Sequence, residues 1–443
     1  MNGLARRGLA AAWLGSALAA VAFTSASADP FPTGWQATNM QPVGYSNLQG
    51  RDAFKLAIKQ VGGRWYLFMG HLWSEGWSVV DVTNPADPKY LKFIPGPANS
   101  WTIQVTFHDN LLLTALQTKP PSWGGTEGKP GGDGVILWDI SDPVNWKKLS
   151  EWQTGGTGTH RDSYPGGKYA YLSAGMPGYR GHILVVLDVS DPAHPKEAGR
   201  WSMPGQKTSD PKPDGPEGFH GPANVSPDGK MIATGYAPAV VNLDISDVAN
   251  PKLIGKVVMS PPFANVGSQS LHTVLPLWDR NLLFASSEAS ASHCAEALNF
   301  AGLIDNKDPK APRLISLFPL PKPPEDAPYK NFCEKPGRFG PHNVNQEIHL
   351  PDVEKPGNLI YLTYFNAGLR VFDIKDPVQP VETGWFIPPQ PTKRLGPQPP
   401  DALVNQTEDV LVDTRGYVYV DDKHWGLFIL KYTGPDQPAP TAK

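Results

Sequence analysis

Short apolar runs separated by turn residues recur along most of the 443-residue chain. One phrase consists of an apolar strand ending in Asp, a turn carried by Asp-Pro or an equivalent pair, and a second strand. It occurs six times, as VVDVTNPADPKYL, LWDISDPVNWKKL, VLDVSDPAHPKEAG, NLDISDVANPKLIG, LIDNKDPKAPRLIS and VFDIKDPVQPVETG, and LFILKYTGP is a weaker seventh copy. An Asp side chain caps such a turn and Pro presets its backbone angle. We therefore predict a structural role, and no catalytic role, for Asp81, Asp139, Asp188, Asp244, Asp305 and Asp373.

A second recurring hairpin lies between these phrases, with strands such as RWYLFMG, KYAYLSAG and GYVYVDD. Each follows a turn and an earlier strand, which gives four strands in every unit of roughly 45 to 65 residues. Repeated units of this kind are typical of a β-propeller, so the sequence predicts an all-β, seven-bladed β-propeller. The seventh unit lacks its outer strand. The N-terminal segment MQPVGYSN, Met40 to Asn47, matches that strand, and we expect it to close the last blade.

The apolar-Asp phrases resemble those of the LVIVD-repeat family, and the resemblance covers nearly all of the chain after its N-terminal segment. It implies a β-propeller. It implies no particular chemistry, because propellers carry many unrelated functions. Repeated blades also make good docking surfaces, so a protein partner is compatible with the resemblance.

The first 28 residues have the pattern of an export signal. Arg6 and Arg7 precede an apolar run, and Ala26-Ser27-Ala28 is a small-x-small cleavage site. The paired arginines fit a twin-arginine signal, with an ordinary secretion signal as the alternative. The sequence predicts a signal peptide (1–28), a propeller (29–434) and a disordered Pro-rich tail (435–443) in a periplasmic or secreted protein. No second apolar stretch of spanning length follows, so we expect no membrane span in the mature chain.

The composition agrees with an all-β fold and limits the classes of partner that the chain is expected to bind. Charged residues make up 18% of the chain, whereas Gly (44) and Pro (48) are abundant, which favours short strands and turns over helices. A net charge of -3 does not favour a nucleic-acid partner. In an oxidising compartment Cys294 and Cys333 are expected to form a disulfide; a thiolate ligand or two free thiols are the alternatives.

Four histidines stand at the head of the first strand in four consecutive units: His160, His220, His272 and His342. Glu408 occupies the matching position in the next unit. The first strand of each propeller blade lines the central channel, so equivalent positions meet near the axis. A single buried His is usually a hydrogen-bonded core residue. Four in register favour a shared metal ion instead, because each neutral imidazole offers a nitrogen lone pair.

Imidazole ligands with an optional carboxylate suit Fe, Cu, Zn or Ni, whereas Mg and Ca prefer oxygen. The sequence therefore predicts one transition-metal ion, with Fe or Cu favoured and Zn as a further candidate. Four histidines on a propeller are similar to the iron centre of carotenoid-cleaving dioxygenases. That similarity implies a metal held by His160, His220, His272 and His342. Selenium-binding-type methanethiol oxidases are similar too, as propellers with a histidine-bound metal.

Two acidic residues, Glu408 and Asp162, are candidate catalytic groups. Glu408 suits a fifth ligand or a general base, and strand alternation places Asp162 on the same face as His160 and turns Arg161 away from the channel.

Other side chains near the predicted centre are expected to support it. Glu217 and Glu288 are candidates to hold the far nitrogen of a ligating histidine, whereas His182 is expected to have no role. The long loops QTKPPSWGGTEGKPGGDG and SEASASHCAEALNF are expected to wall one mouth of the channel.

These features favour a metal-dependent oxidoreductase that acts on a small organic substrate, aromatic compounds included. A Zn-dependent hydrolase or lyase, in which Glu408 activates water, is one alternative. A non-catalytic interaction propeller is the other. The sequence contains no Ser-His-Asp arrangement, phosphate loop or dinucleotide fingerprint that supports a different chemistry.

Overall fold

The computed structural model describes residues 1, 29–212, 218–259, 269–296, 299–398 and 402–436. Regular structure in these ranges is almost entirely β, which confirms the all-β prediction; the two helices are single 3-10 turns, Pro121–Trp123 and Trp278–Arg280. No helix within these ranges has the length and apolarity needed to cross a membrane. The signal peptide predicted for residues 1–28, the tail beyond residue 436 and Glu217 fall outside the described residues, apart from residue 1.

Two N-terminal strands precede the strands of the first three units. The N-terminal pair is β1 (Gln36–Thr38) and β2 (Met40–Ser46). Unit one has β3 (Leu56–Val61), β4 (Arg64–Gly70), β5 (Gly76–Asp81) and β6 (Lys89–Pro95). Unit two has β7 (Ser100–Trp101), β8 (Val105–His108), β9 (Leu111–Thr118), β10 (Gly134–Asp139) and β11 (Lys147–Gln153). Unit three has β12 (Gly158–Thr159), β13 (Tyr169–Gly175), β14 (Ile183–Asp188) and β15 (Lys196–Trp201).

The later units follow the same plan. Unit four has β16 (Gly218–Phe219), β17 (Asn224–Val225), β18 (Met231–Ala237), β19 (Ala239–Asp244) and β20 (Lys252–Val258). Unit five has β21 (Gln269–Leu277), β22 (Leu282–Glu288), β23 (Ala301–Asp305) and β24 (Arg313–Leu317). Unit six has β25 (Leu359–Thr363), β26 (Leu369–Asp373) and β27 (Val381–Ile387), and unit seven has β28 (Thr407–Val412), β29 (Tyr417–Asp422) and β30 (Gly426–Tyr432).

Within the described ranges the strands form antiparallel meanders, such as β3-β4-β5-β6, and their hydrogen bonds group them into six sheets. Five sheets have four or five strands, and the sixth has nine because units two and three are joined where Gly158 of β12 pairs with Gln117 of β9. Since these two units share one sheet, the number of blades stays a prediction from the sequence.

The N-terminal strand completes the last unit, as predicted. Strand β2 pairs with β30, and Met40 lies opposite Tyr432. Strand β1, which the sequence did not predict, pairs with β27 of unit six. The two N-terminal strands therefore cover outer edges that are exposed without them.

Successive units touch through a glycine on the outer strand. A Cβ on Gly199 of β15 would lie 2.1 Å from the carbonyl oxygen of Val248, in the Asp-Pro-type turn of unit four. A Cβ on Gly44 of β2 would lie 2.0 Å from the carbonyl oxygen of Pro85, in the turn of unit one. The second contact packs the last unit against the first and so closes the ring.

The strand-ending aspartates have the structural role that the sequence predicts. Each side chain accepts a hydrogen bond from the backbone N–H two residues further on, as Asp139 does from Ser141 at 2.8 Å. Burial of apolar strand faces between the units forms the core, in which Trp77 is fully buried against Trp138 and Trp146.

Candidate metal centre

The four candidate ligand histidines line one cavity of about 360 Å³. Each ring contacts the next: the ring centroids of His160 and His220 are 4.9 Å apart, those of His220 and His272 4.1 Å, and those of His272 and His342 4.7 Å. The last three side chains are buried and His160 is partly exposed. The expectation that equivalent positions on successive units converge thus holds for these residues, although only His272 lies inside a regular strand.

The hydrogen bonds of the rings assign the protons of His160, His272 and His342. In these three the nearest partner of Nδ1 is an oxygen acceptor, so Nδ1 carries the proton of the neutral ring and Nε2 keeps its lone pair. Nδ1 of His220 lies 3.1 Å from Arg161 Nη1, a donor, and 3.2 Å from an oxygen, so these contacts do not assign its proton. The acceptors of the three assigned rings are Gln117 Oε1 for His160 (2.6 Å), Thr273 Oγ1 for His272 (2.7 Å) and the Glu408 carbonyl for His342 (2.7 Å). Thr273 Oγ1 itself donates to the His342 carbonyl at 3.0 Å, which leaves it as an acceptor for His272. Fixing Nδ1 in this way is a common arrangement for histidines that bind metal through Nε2.

Burial lowers the pKa of each of these four histidines well below its usual value, and neighbouring positive groups lower it further. After burial, the group that lowers the pKa of His342 most is Arg338, and for His220 it is Arg161. All four rings are therefore neutral near pH 7, the form in which imidazole binds metal.

Arg161 lies against the rings, contrary to the expectation that it faces away. Its Nη1 donates to the His272 carbonyl at 2.8 Å and lies 3.1 Å from His220 Nδ1, while Nη2 donates to Gln346 at 2.6 Å. Burial lowers the pKa of Arg161 to about 10, so it stays charged at neutral pH. The expectation was wrong because β12 ends at Thr159, and strand alternation no longer sets side-chain direction after that residue.

Glu288 at the end of β22 is the carboxylate closest to a possible ion. Among the described residues, donor atoms of His220, His272 and Glu288 all lie within 4.8 Å of one another. Glu288 Oε2 is 3.7 Å from His272 Nε2, and Oε1 is 3.9 Å from His342 Nε2. Ligand atoms about 2.0–2.2 Å from one ion lie roughly 3–4 Å apart, so a small inward rotation closes this group around a metal. The sequence suggested Glu288 only as a partner of a ligating histidine.

Glu408 also lines the cavity, but it is tied to Arg338. Arg338 Nη2 donates to both Glu408 oxygens, at 2.9 and 3.2 Å, and Nη1 donates to Glu288 Oε1 at 3.0 Å. One Glu408 oxygen lies 3.4 Å from His342 Nδ1. Glu408 therefore stands behind His342, next to its protonated nitrogen, and its assignment as ligand or base stays a prediction.

Asp162 is not brought to the histidines. It lines a different cavity of about 430 Å³, together with Glu347 and His349. Its oxygens face Thr159 Oγ1 at 2.7 Å and the backbone N–H of Ser173 at 3.2 Å. A catalytic role for Asp162 at the histidine cluster has no support from this position.

Several cavity residues were missed or only partly foreseen. His182 was expected to have no role, yet it lines the cavity, its ring centroid lies 5.9 Å from that of His160, and burial lowers its pKa to about 4. Trp123 and Ser290 come from the two long loops, as expected for walls of the channel mouth. Arg338 comes from the connection between units five and six, where no motif marked it. The Cys294–Cys333 disulfide, which confirms the prediction, ties that connection to the loop after β22.

The residues present fit a transition-metal ion. The site offers neutral imidazoles, one carboxylate within reach, and a polar shell that fixes the rings. Aromatic and aliphatic side chains, including Phe54, Leu72 and Trp101, form the rest of the wall. The molecule is thus a β-propeller with a buried histidine-carboxylate cluster beside a small cavity.

Comparisons with known proteins agree with this class. The LVIVD repeat family matches residues 166–202 and 351–386, so the chain carries LVIVD repeats. A comparison with curated proteins finds no match. The structure is similar to the β-propeller domain of Cps50 (Swd1) from Myceliophteria thermophila, with a TM-score of 0.52, 12% identity, and coverage of 86% of this chain and 97% of that one. It is also similar to the periplasmic gluconolactonase PpgL of Pseudomonas aeruginosa, with a TM-score of 0.52, 13% identity, and coverage of 84% and 98%. At these identities the likeness shows a β-propeller fold alone.

Proposed function

We propose that this chain is an exported metalloenzyme, an oxidoreductase that acts on a small organic substrate at a transition-metal centre. His220, His272 and Glu288 are the proposed core ligands, and His160 and His342 flank them. The observation that carries the proposal is the mutual approach of two neutral imidazoles and one carboxylate within 4.8 Å. Two histidines and a carboxylate with open positions are the donor set of non-haem Fe(II) oxygenases. Export rests on the N-terminal sequence pattern.

The chain's own residues have separable parts in this function. Thr273 accepts from Nδ1 of His272 and holds that ring in one tautomer. Arg161 packs against the rings and donates to the His272 carbonyl, and Arg338 orients Glu288 through a 3.0 Å hydrogen bond. A cavity of about 360 Å³ is of the size that binds small molecules, and its aromatic walls exclude water around the substrate. When bound, a redox-active ion supplies the electron-transfer chemistry that these side chains lack.

A zinc-dependent hydrolase or lyase is the second candidate. Two histidines and a glutamate also hold catalytic zinc, so the same cluster favours it. The identity of the bound metal separates the two candidates.

The test is the metal content of the purified mature protein, measured by inductively coupled plasma mass spectrometry. We expect about one Fe or Cu per chain in the wild type and at least a tenfold loss in His220→Ala, His272→Ala and Glu288→Gln after dialysis, because each variant removes a ligand. His194→Ala is the matched control, since His194 is exposed and bonds only Asp191 at 2.9 Å. Zinc in place of Fe or Cu favours the second candidate. A wild type without transition metal after growth in replete medium overturns the metal proposal.

A further inference from the structure

We propose that the cavity binds a small aromatic carboxylate, with the carboxylate against the guanidinium of Arg338 and the ring between aromatic side chains. The inference rests on the proposed function and deepens it by naming the substrate class.

Arg338 keeps one donor available for a ligand. Its Nη1 donates to Glu288, its Nη2 hydrogens go to the two oxygens of Glu408, and its Nε faces Gln406 Oε1 at 3.4 Å. A guanidinium has five N–H donors, so these contacts leave one hydrogen on Nη1. The guanidinium carbon of Arg338 lies 3.7 Å from the ring centroid of Phe365, and this cation–π contact holds the guanidinium in place.

The charges of the cavity wall favour an anion once a metal is bound. Four charged side chains line the cavity: Arg161 and Arg338 are positive, and Glu288 and Glu408 are negative. These four charges cancel, and the nearby group of Lys55, Glu347 and Asp409 adds no more than one negative charge, so a divalent ion leaves net positive charge within a largely buried space. Buried charge without compensation is costly, and an anionic ligand supplies that compensation.

The apolar part of the wall suits a flat ring. Phe54, Leu72 and Ile103 are buried there, and Trp101 meets Trp123 edge-on with ring centroids 5.6 Å apart. The buried indole N–H of Trp101 has no hydrogen-bond acceptor among the described residues. An unsatisfied buried donor is destabilising, so the partly exposed Trp101 gains when its ring turns to bring this N–H to an oxygen on the ligand, such as a ring hydroxyl.

The experiment measures binding of 4-hydroxybenzoate to the metal-loaded protein by isothermal titration calorimetry, with the neutral 4-hydroxybenzamide as the comparison. We expect the acid to bind at least tenfold more tightly than the amide in the wild type. Arg338→Gln should lose at least tenfold in affinity for the acid, because a charge-assisted hydrogen bond is lost. Trp101→Phe should lose about fivefold, because one neutral hydrogen bond is lost. Arg280→Gln is the control, since Arg280 lies outside the cavity and donates to the Ile374 carbonyl at 2.7 Å. The affinity of this variant for the acid should equal that of the wild type.

Equal affinities for the acid and the amide in the wild type overturn the proposal, and so does unchanged binding in a folded Arg338→Gln. If Arg338→Gln does not fold because Glu288 and Glu408 lose their cation, the proposal is tested by the acid-amide comparison in the wild type and by the affinity of Trp101→Phe for the acid. Metal content is measured on the same preparations. A metal-loaded protein that does not prefer the acid defeats this inference alone, whereas a protein without metal defeats the proposed function.

Discussion

At the scale of the residue, Asp162 is a carboxyl group whose protonated form is favoured by burial. Burial raises its pKa to about 7. Thr159 Oγ1 has a single hydrogen, which points to the Gly134 carbonyl at 2.6 Å, so the 2.7 Å contact with Asp162 needs a proton on the carboxyl group. Asn in this position would donate to Thr159 and accept from Ser173 in the same way.

We therefore predict that Asp162→Asn changes stability in a pH-dependent manner. The pKa is raised from 3.8 in the unfolded chain to about 7 in the folded chain, so the folded state binds more protons and loses stability as pH rises from about 4 to 7. At pH 8 the Asn variant should be more stable than the wild type, by up to roughly 4 kcal/mol, and at pH 4 the difference should vanish. Urea unfolding at the two pH values tests this. An equal difference at both would show that Asp162 is ionised in the folded protein.

The residues of the site differ in whether the repeat pattern of the sequence marks them. His160, His220, His272, His342 and Glu408 were found from the sequence because they occupy matching positions in consecutive repeats, and a propeller brings such positions together.

Other site residues do not occupy matching positions in the repeats. Glu288 lies at the end of a second strand, His182 lies in the loop before the third strand β14, and Arg338 comes from a connection, so the repeat pattern does not mark them. The prediction that Arg161 faces away from the channel was wrong because the direction of this side chain depends on where a two-residue strand ends. A sequence pattern does not determine that end.

At the scale of the element, the outer strands depend on a close approach that only glycine allows. Gly199→Ala places a Cβ 2.1 Å from the Val248 carbonyl oxygen, a backbone atom that cannot rotate away. We predict a loss of about 1–3 kcal/mol in the free energy of unfolding, because the two units must separate to make room. Gly357→Ala is the control, since nothing lies within 4 Å of its added Cβ. Equal midpoints for both variants in urea unfolding would refute this account of the contact.

The sequence pattern predicts some strands and not others. Strand β2 was predicted because it repeats the phrase of the other outer strands. Strand β1 was not, because its three residues, Gln36–Thr38, are too few to show a period. The segment of His342 is predicted to be a strand, but it forms only an isolated bridge to β25, in which the His342 N–H donates to the Thr363 carbonyl at 3.0 Å and Val344 pairs with Leu362.

At the scale of the whole molecule, the ring is closed by chain segments that lie far apart in sequence. Removing residues 29–47 should expose the outer edges of β30 and β27, which template pairing with other chains. We predict a melting temperature lower by at least about 5 °C, together with dimers or larger species in size-exclusion chromatography. A truncated chain that stays monomeric with an unchanged melting temperature would contradict closure by the N-terminal strands.

The cluster of His220, His272 and Glu288 joins units four and five of the ring in one proposed metal site, and the proposed function depends on its metal. The most direct measurement is an anomalous difference map from crystals of the metal-loaded protein, collected on both sides of the absorption edge of the bound metal. We expect one peak about 2.0–2.2 Å from Nε2 of His220, Nε2 of His272 and an oxygen of Glu288. A peak elsewhere in the molecule, or none in this cavity from protein shown to contain metal, would contradict it.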